Sequence, residues 1–380
     1  MDTRTVLVVG AGIAGSTLAY WLSRHGFDTT VVERAEGERS SGSPVDVRGP
    51  AVRVAERMGL LPSLREAATL ATGIVLVDNR GRRIGRVPTQ TNAEAVEIPR
   101  SDLAAILADA SRDDVEFIYG DSVVTIAESG QGVDVTFERA APRRFDLVVG
   151  ADGLHSRVRW LTFGPESQFV EHLGMYVATV PLDGSAEDQK NVVMHSTPGR
   201  AVAVHPATGR GIVAFIFRYA LRPALYHRDS DRQKQLMSAA YAGVGWQVPE
   251  LLERVRGADD LYFDSVSRVR LDTWSRGRIG LVGDAASCAT LLGDGSSMAI
   301  AGAATLAEAL AAQPAEPTTA LHRYEQSQRK LIGSRQRRIS VASHLLVPAT
   351  RAGLAARNTG FRIWPAIAAA GRVVGRPVAA

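Results

Sequence analysis

Val6-Leu7-Val8-Val9-Gly10-Ala11-Gly12-Ile13-Ala14-Gly15 opens the chain and decides how it folds. An apolar run ends in a G-x-G-x-x-G turn. A helical pattern follows, Thr17-Leu18-Ala19-Tyr20-Trp21-Leu22, and a second apolar run, Val31-Val32, ends on Glu33. Strand, turn, helix, strand and acid in that order make a complete βαβ unit with a phosphate site. Gly10 permits the tight turn, Gly12 lets the backbone approach a pyrophosphate, and Gly15 lets the helix pack close to the strand. The helix start at Ile13 and Ala14 offers free N–H groups and a partial positive charge. Glu33, with Arg34 beside it, falls at the tip of the second strand, where a carboxylate accepts ribose hydroxyls. The unit predicts a dinucleotide site. The bland alternative is a glycine-rich turn in some other βαβ unit.

A length of 380 residues suggests two domains, and an apolar share of 45% is that of a chain with a sizeable core. No uninterrupted apolar run of transmembrane length is present, so no membrane span is expected. The first strand begins within a few residues of Met1, which leaves no room for a signal peptide. Cys288 is the single cysteine, which excludes an internal disulfide framework and fits a reducing, cytoplasmic setting. The net charge is +4, carried almost entirely by arginine, with a cluster at Arg329, Lys330, Arg335, Arg337 and Arg338. Such a run reads as a solvated helix face. No recognition motif accompanies it, so no nucleic-acid partner is expected. None of the eight histidines falls in a metal-ligand spacing, and no metal site is expected.

Along the chain, Pro44-Val45-Asp46-Val47 leads into a helical pattern at residues 51–58. Residues 73–88 read as a hairpin turning at Asp78-Asn79-Arg80-Gly81. Ser101 reads as the N-cap of a helix after Pro99-Arg100. Residues 115–149 alternate like a β-meander, closing on a buried strand that ends at Gly150. Residues 168–220 are strand-rich, a charged helical stretch spans about 230–256, strands return over 261–282, and the chain is mostly helical from about 295. The expected fold class is α/β. A Rossmann-like domain (1–70, 97–165 and 275–317) is interrupted by a mostly antiparallel β-sheet substrate domain (71–96 and 166–274), and a C-terminal helical region (318–380) bridges the two.

Two further motifs lie far from the first: Gly150-Ala151-Asp152-Gly153-Leu154-His155-Ser156-Arg157, and Gly280-Leu281-Val282-Gly283-Asp284-Ala285-Ala286. With the N-terminal unit, in this order, they resemble the flavin-dependent aromatic monooxygenases of the p-hydroxybenzoate hydroxylase fold. Within that family the chain is most similar to the single-component, tetracycline-inactivating branch, through about residue 345.

The resemblance implies FAD as cofactor, NADPH or NADH as reductant, and O2 as co-substrate. It implies hydroxylation of a bulky aromatic or polycyclic small molecule through a flavin C4a-hydroperoxide. It places Glu33 on the adenosine ribose, Arg39 at the nicotinamide cofactor, and Asp46 against the flavin. Arg100 falls at the ribityl-phosphate region, Asp152 and Gly153 at the pyrophosphate end, and Asp284 on a ribityl hydroxyl. Ile13, Ala14, Arg34 and Val123 complete the cofactor-binding set. The helix opened by Gly295, Ser296 and Ser297 would present its N-terminus to the flavin pyrimidine, where N–H groups stabilise negative charge. No catalytic side chain is assigned, and His155 reads as a surface helix residue rather than a base. Asp46, Arg39 and Asp152 also admit plain readings as a solvated strand residue, a surface charge and a turn former.

The third motif departs from the family. Ser287 stands where histidine is usual, the following proline is absent, and Ser297 replaces asparagine. These changes bear on the wall of the oxygen-reaction site and the coupling of hydroxylation. Two alternatives stay open. One is another flavin reaction class (Baeyer–Villiger oxygenase, oxidase or reductase). The other is a flavin-binding protein without oxygenase activity. A halogenase is disfavoured because W-x-W-x-I-P is missing.

Overall fold

The central sheet has six strands in the order Ser275–Arg276, Ile279–Leu281, Leu147–Gly150, Thr5–Val9, Asp28–Glu33, Glu116–Tyr119. Every neighbouring pair is parallel except the antiparallel edge pair Ser275–Arg276 and Ile279–Leu281. A parallel sheet is covered on both faces, and its strands read as unbroken apolar runs. Val6 to Val9 and Leu147 to Val149 are accordingly buried. The chain leaves Thr5–Val9 towards Asp28–Glu33 on one side, and Leu147–Gly150 flanks it on the other. That reversal is a topological switch point, the place where open α/β sheets bind ligands. In this computed structural model the described residues are 4–37, 44–88, 95–130, 132–182, 184–207, 211–219, 229–288 and 295–374.

A second sheet has seven strands: Tyr262–Val269, Val170–Pro181, Ile212–Arg218, Arg200–His205, Asn191–Thr197, Gly73–Val77 and Arg83–Pro88. Only the pairing of Asn191–Thr197 with Gly73–Val77 is parallel. Val202, Val204, Phe215 and Phe217 pack one face against the helices Ser230–Ala240 and Val248–Gly257, through Met237, Tyr241 and Leu251. The Tyr241 hydroxyl, fully buried there, donates to the Ala201 and Ile216 carbonyls at 2.8 and 3.0 Å. The other face turns towards the first sheet and the C-terminal helices.

Those helices are Pro317–Leu346 and Arg351–Val374. The corner between them is strapped to the second sheet. Arg218 donates to the Val347 and Ser343 carbonyls at 2.8 and 3.0 Å, and Arg357 to Ser196 Oγ and the Leu346 carbonyl at 3.2 and 3.1 Å. Arg329, from the basic cluster, is exposed, as a solvated face implies, and is also tied to the protein. It lies over the Trp274 ring, pairs with Glu325 at 2.7 Å and donates to the Leu271 and Asp272 carbonyls.

Several local expectations change. The 115–149 meander is divided. Glu116–Tyr119 and Leu147–Gly150 join the central sheet, and Val123–Ser129, Gly132–Phe137 and Arg143–Phe145 form a separate antiparallel sheet. Alternation marks a strand and does not name its partner. The 101 helix starts at Arg100 on Pro99, with no side-chain cap. The Ser101 hydroxyl donates instead to Asp102 at 3.1 Å. The 230–256 stretch is two helices, broken at Gly243 to Trp246, where Trp246 takes φ 59°. The helix Gly295–Ala312 is long and apolar enough to cross a membrane, yet most of it is buried inside the protein. It packs between Ile13–Arg24 and Pro317–Leu346, and its apolar length belongs to the core.

A Cβ at Gly15 would stand 1.8 Å from the Gly10 carbonyl oxygen, whereas one at Gly12 would meet nothing within 4 Å. Gly15→Ala is therefore expected to cost about 2–3 kcal/mol or more, and Gly12→Ala less than about 0.5 kcal/mol, in urea unfolding of the cofactor-free protein. Equal stability of the two variants would contradict this packing.

Candidate functional site

The three sequence motifs meet at the switch point. A Cβ on Gly10, whose φ is +104°, would lie 2.8 Å from the Ala151 carbonyl oxygen, and one on Gly283 would lie 2.8 Å from Ala14 Cβ. Glycine at these positions lets two loops close onto the start of the helix Ile13–Arg24. Ile13 and Ala14 are buried there. Gly12 is the N-cap and supplies no side-chain cap, so the first N–H groups of the helix face the open space that a side chain would fill. Glu33 is set beside that space by its own backbone contacts. Its two carboxylate oxygens accept the Ala11 and Ala35 N–H groups, each at 2.9 Å. Arg34 is exposed.

Asp152 closes another side. Its Oδ2 accepts the Arg157 and Val158 N–H groups at 2.6 and 3.0 Å, which starts the helix Arg157–Thr162. Its Oδ1 is buried without a partner, and burial pushes the carboxyl pKa up. Gly153 has φ +79°. Val123 is buried, and its carbonyl accepts Arg157 Nε at 3.5 Å. Sequence reading gave Arg159 no role, yet it is 1% exposed and joins the second motif to the third by donating to the Ala285 and Leu154 carbonyls.

Arg100 and Asp284 line a cleft between the sheets. The Arg100 side chain is exposed although protein surrounds it deeply, the mark of a group facing an opening. Burial works against its charge, but Tyr262, Asp284, Cys288 and Asp264 outweigh it and hold its pKa above the ordinary value. Burial raises Asp284, partly offset by Arg100 and the Cys288 thiol. Tyr262 and Cys288 are also pushed up by burial, so both stay protonated at neutral pH. Tyr262 and Asp264 come from the second sheet, Arg100 and Asp284 from around the first.

Ser296 and Ser297 join the helix Gly295–Ala312 to the strand Val45–Arg48. Both hydroxyls donate to the Asp46 carbonyl, at 2.6 and 2.7 Å, and Ser297 Oγ accepts the Arg48 N–H at 3.0 Å. These hydroxyls are committed to the strand, and the helix start retains backbone N–H groups. A Cβ on Gly295 would lie 3.9 Å from Asp284 Oδ1. Asp46 stands directly across the ladder from Glu97. Burial raises both carboxyls, against Arg48 for Asp46 and against the Thr69 hydroxyl for Glu97. Arg39 lies outside the described residues.

The FAD binding domain family matches residues 3–336. A Legionella longbeachae protein named flavin-dependent monooxygenase is 30% identical over 87% of this chain and 87% of its own length. The chain belongs to the flavin-dependent monooxygenases. An uncharacterised protein of Mycobacterium tuberculosis is 42% identical, over 81% of this chain and 85% of its own. The crystal structure of tetracycline destructase Tet(51) superimposes with a TM-score of 0.84 at 28% identity, covering 96% and 97% of the two chains.

The fit to FAD rests on features of this chain. They are an uncapped helix N-terminus facing space beyond Gly12, an acid fixed by two amides, an orphaned oxygen on Asp152, and a cation in an open cleft at Arg100.

His155, read from sequence as a surface residue, is a joint of this monooxygenase. Its Nδ1 lies 2.9 Å from Glu166 and its Nε2 3.2 Å from Asp264, so it pins the second motif to the second sheet. Burial works against its charge, but the two carboxylates prevail and lift its pKa from 6.5 to about 9. The folded form thus keeps a proton that the unfolded form loses. The stabilisation is complete below pH 6.5, falls as pH rises, and is gone above about 9. With Glu166 half-exposed, it amounts to about 1–2 kcal/mol. In urea unfolding, the stability gap between wild type and His155→Gln should narrow by about that amount between roughly pH 6 and pH 9.5. A gap independent of pH would contradict the joint.

Proposed function

We propose that this flavin-dependent monooxygenase hydroxylates a bulky aromatic or polycyclic small molecule, using NADPH or NADH and O2. The observation that carries the reading is the cleft wall on the second sheet. Val177, Ile212 and Tyr262 share the face opposite the helix-packed core and are partly open, and Tyr262 interacts with Arg100 and Asp284. A broad, mostly apolar wall with few polar groups suits a large flat ligand. The likeness to Tet(51), a tetracycline destructase, extends the proposal to antibiotic-like polycycles and to secondary metabolism.

FAD, when bound, supplies the oxygen chemistry. The helix start at Gly12 would take the pyrophosphate, and Glu33 the adenosine ribose, with Arg34 and Val123 bordering that end. Asp152 and Gly153 shape the pyrophosphate side, Arg100 and Asp284 the ribityl side, and Asp46 the ring side. The N-terminus at Gly295, Ser296 and Ser297 favours negative charge on a ring edge placed against it. The second sheet excludes water from the reacting face. Arg39 would attract the nicotinamide nucleotide, which docks without a second glycine-rich unit.

The test is turnover of tetracycline with NADPH under 18O2, with mass spectrometry of product and a peroxide count. One labelled oxygen atom per product is expected, together with some peroxide because Ser287 and the missing proline alter the ring-side wall. NADPH consumption matched mole for mole by peroxide, with no labelled product from tetracycline or other polycyclic aromatics, would overturn the proposal.

A further inference from the structure

We infer that His205, backed by Thr179, is a specificity-determining contact that recognises uncharged hydroxyl groups on the edge of a polycyclic ligand. This rests on the reading of the second sheet as the substrate wall.

The register places both residues on that wall. Thr179 stands opposite Tyr262 on one side and Ala214 on the other, and Ala214 stands opposite Ala203. These four side chains form one row across four strands. His205 lies two residues beyond Ala203, opposite Ile212, on the same face. The reverse face carries Ala178, Val202, Val204, Val213 and Phe215, all packed against the helices. The Tyr262 end of the row adjoins Arg100 and Asp284. His205 stands two strands and two residues away from Thr179, about 12 Å between backbones. That span matches three or four fused rings. Ala214 and Ala203 between them have short side chains and are buried, in a cluster that also holds Leu76, Val192 and Met194.

Both side chains carry a polar atom that the protein does not satisfy. Among the described residues, Thr179 Oγ1 and His205 Nδ1 are buried without a hydrogen-bond partner. Buried polar groups are nearly always paired, and an orphan calls for an explanation. Valine would fill the Thr179 site as well, as Val177 and Val180 do on the same strand. His205 is deeply surrounded yet partly open to solvent, the arrangement also seen at Arg100. Burial drives its pKa from 6.5 to about 4. The ring is therefore neutral across the physiological range and offers one donor and one acceptor nitrogen. A neutral imidazole suits a hydroxyl, which can donate to it or accept from it, and gives no charge attraction for a carboxylate.

The experiment uses the FAD-loaded enzyme and three probes sharing one ring system: quinizarin (1,4-dihydroxyanthraquinone), 9,10-anthraquinone and anthraquinone-2-carboxylate. Dissociation constants come from quenching of protein and flavin fluorescence. Wild type should bind quinizarin most tightly. His205→Leu should weaken quinizarin about three- to tenfold and leave anthraquinone unchanged, and Thr179→Val should do the same to a smaller extent. His205→Gln and Thr179→Ser should restore the preference, with FAD content and circular dichroism unchanged throughout. Unaltered quinizarin binding in His205→Leu would overturn the inference. So would equal losses for all probes, a wild-type preference for the carboxylate, or no binding of any probe. NADPH-driven oxygen insertion into quinizarin is measured alongside. The hydroxyl preference without insertion supports the contact and counts against the monooxygenase reading for this ligand. Insertion without the preference does the reverse.

Discussion

The whole site depends on one close approach. The glycine turn and the start of the helix Ile13–Arg24 are approached from two sides, by the Ala151 backbone at Gly10 and by Gly283 at the Ala14 side chain, across distances that admit no side chain at Gly10, Gly15 or Gly283. Only then do three segments separated by more than a hundred residues surround one helix N-terminus. Glu33, Asp152 and Asp284 each sit at or just beyond a strand end of the same parallel sheet, so each is an acid placed by a strand rather than by a free loop. An uncapped helix start, normally a liability, is on the proposed reading the place for a phosphate.

The second sheet must then be held over that surface, and the protein does this with cations. His155 between Glu166 and Asp264 joins it on the cofactor side, and Arg100 faces Asp264 and Tyr262 across the cleft. On the far side, Arg218 and Arg357 fasten the corner of the C-terminal helices to it through carbonyl acceptors. Straps at both margins leave a cleft between, which suits a family whose chemistry needs an enclosed, water-poor face. Arg159 and Arg329 likewise tie separate segments together, so much of the arginine excess is structural.

The first βαβ unit and its acid could be read because the signal is local: a strand, a turn, a helix and a strand in one window. The hairpin at 73–88 was equally visible as two strands, but its place in the second sheet was set by a parallel pairing with Asn191–Thr197 that no short-range pattern encodes. The joint at His155 was hidden for the same reason, since Asp264 lies 109 residues away. Its only local clue was its position inside the second motif. Ser296 and Ser297 stand at the start of the helix Gly295–Ala312, as the sequence implies, yet the gripping of the Asp46 carbonyl by their hydroxyls depends on a strand about 250 residues earlier. The orphaned atoms on Thr179 and His205 could emerge only from packing, because being unpartnered is a property of surroundings.

The most direct test of the account is the ratio of FAD to FMN affinity in Glu33→Ala. On the proposed reading Glu33 would hold the adenosine ribose, which FMN lacks, and a hydrogen bond to a charged acceptor contributes about 1.5–3 kcal/mol. The account predicts that FAD binding weakens about 10- to 100-fold while FMN binding is unchanged. An unchanged FAD affinity, or an equal loss for both flavins, would contradict it.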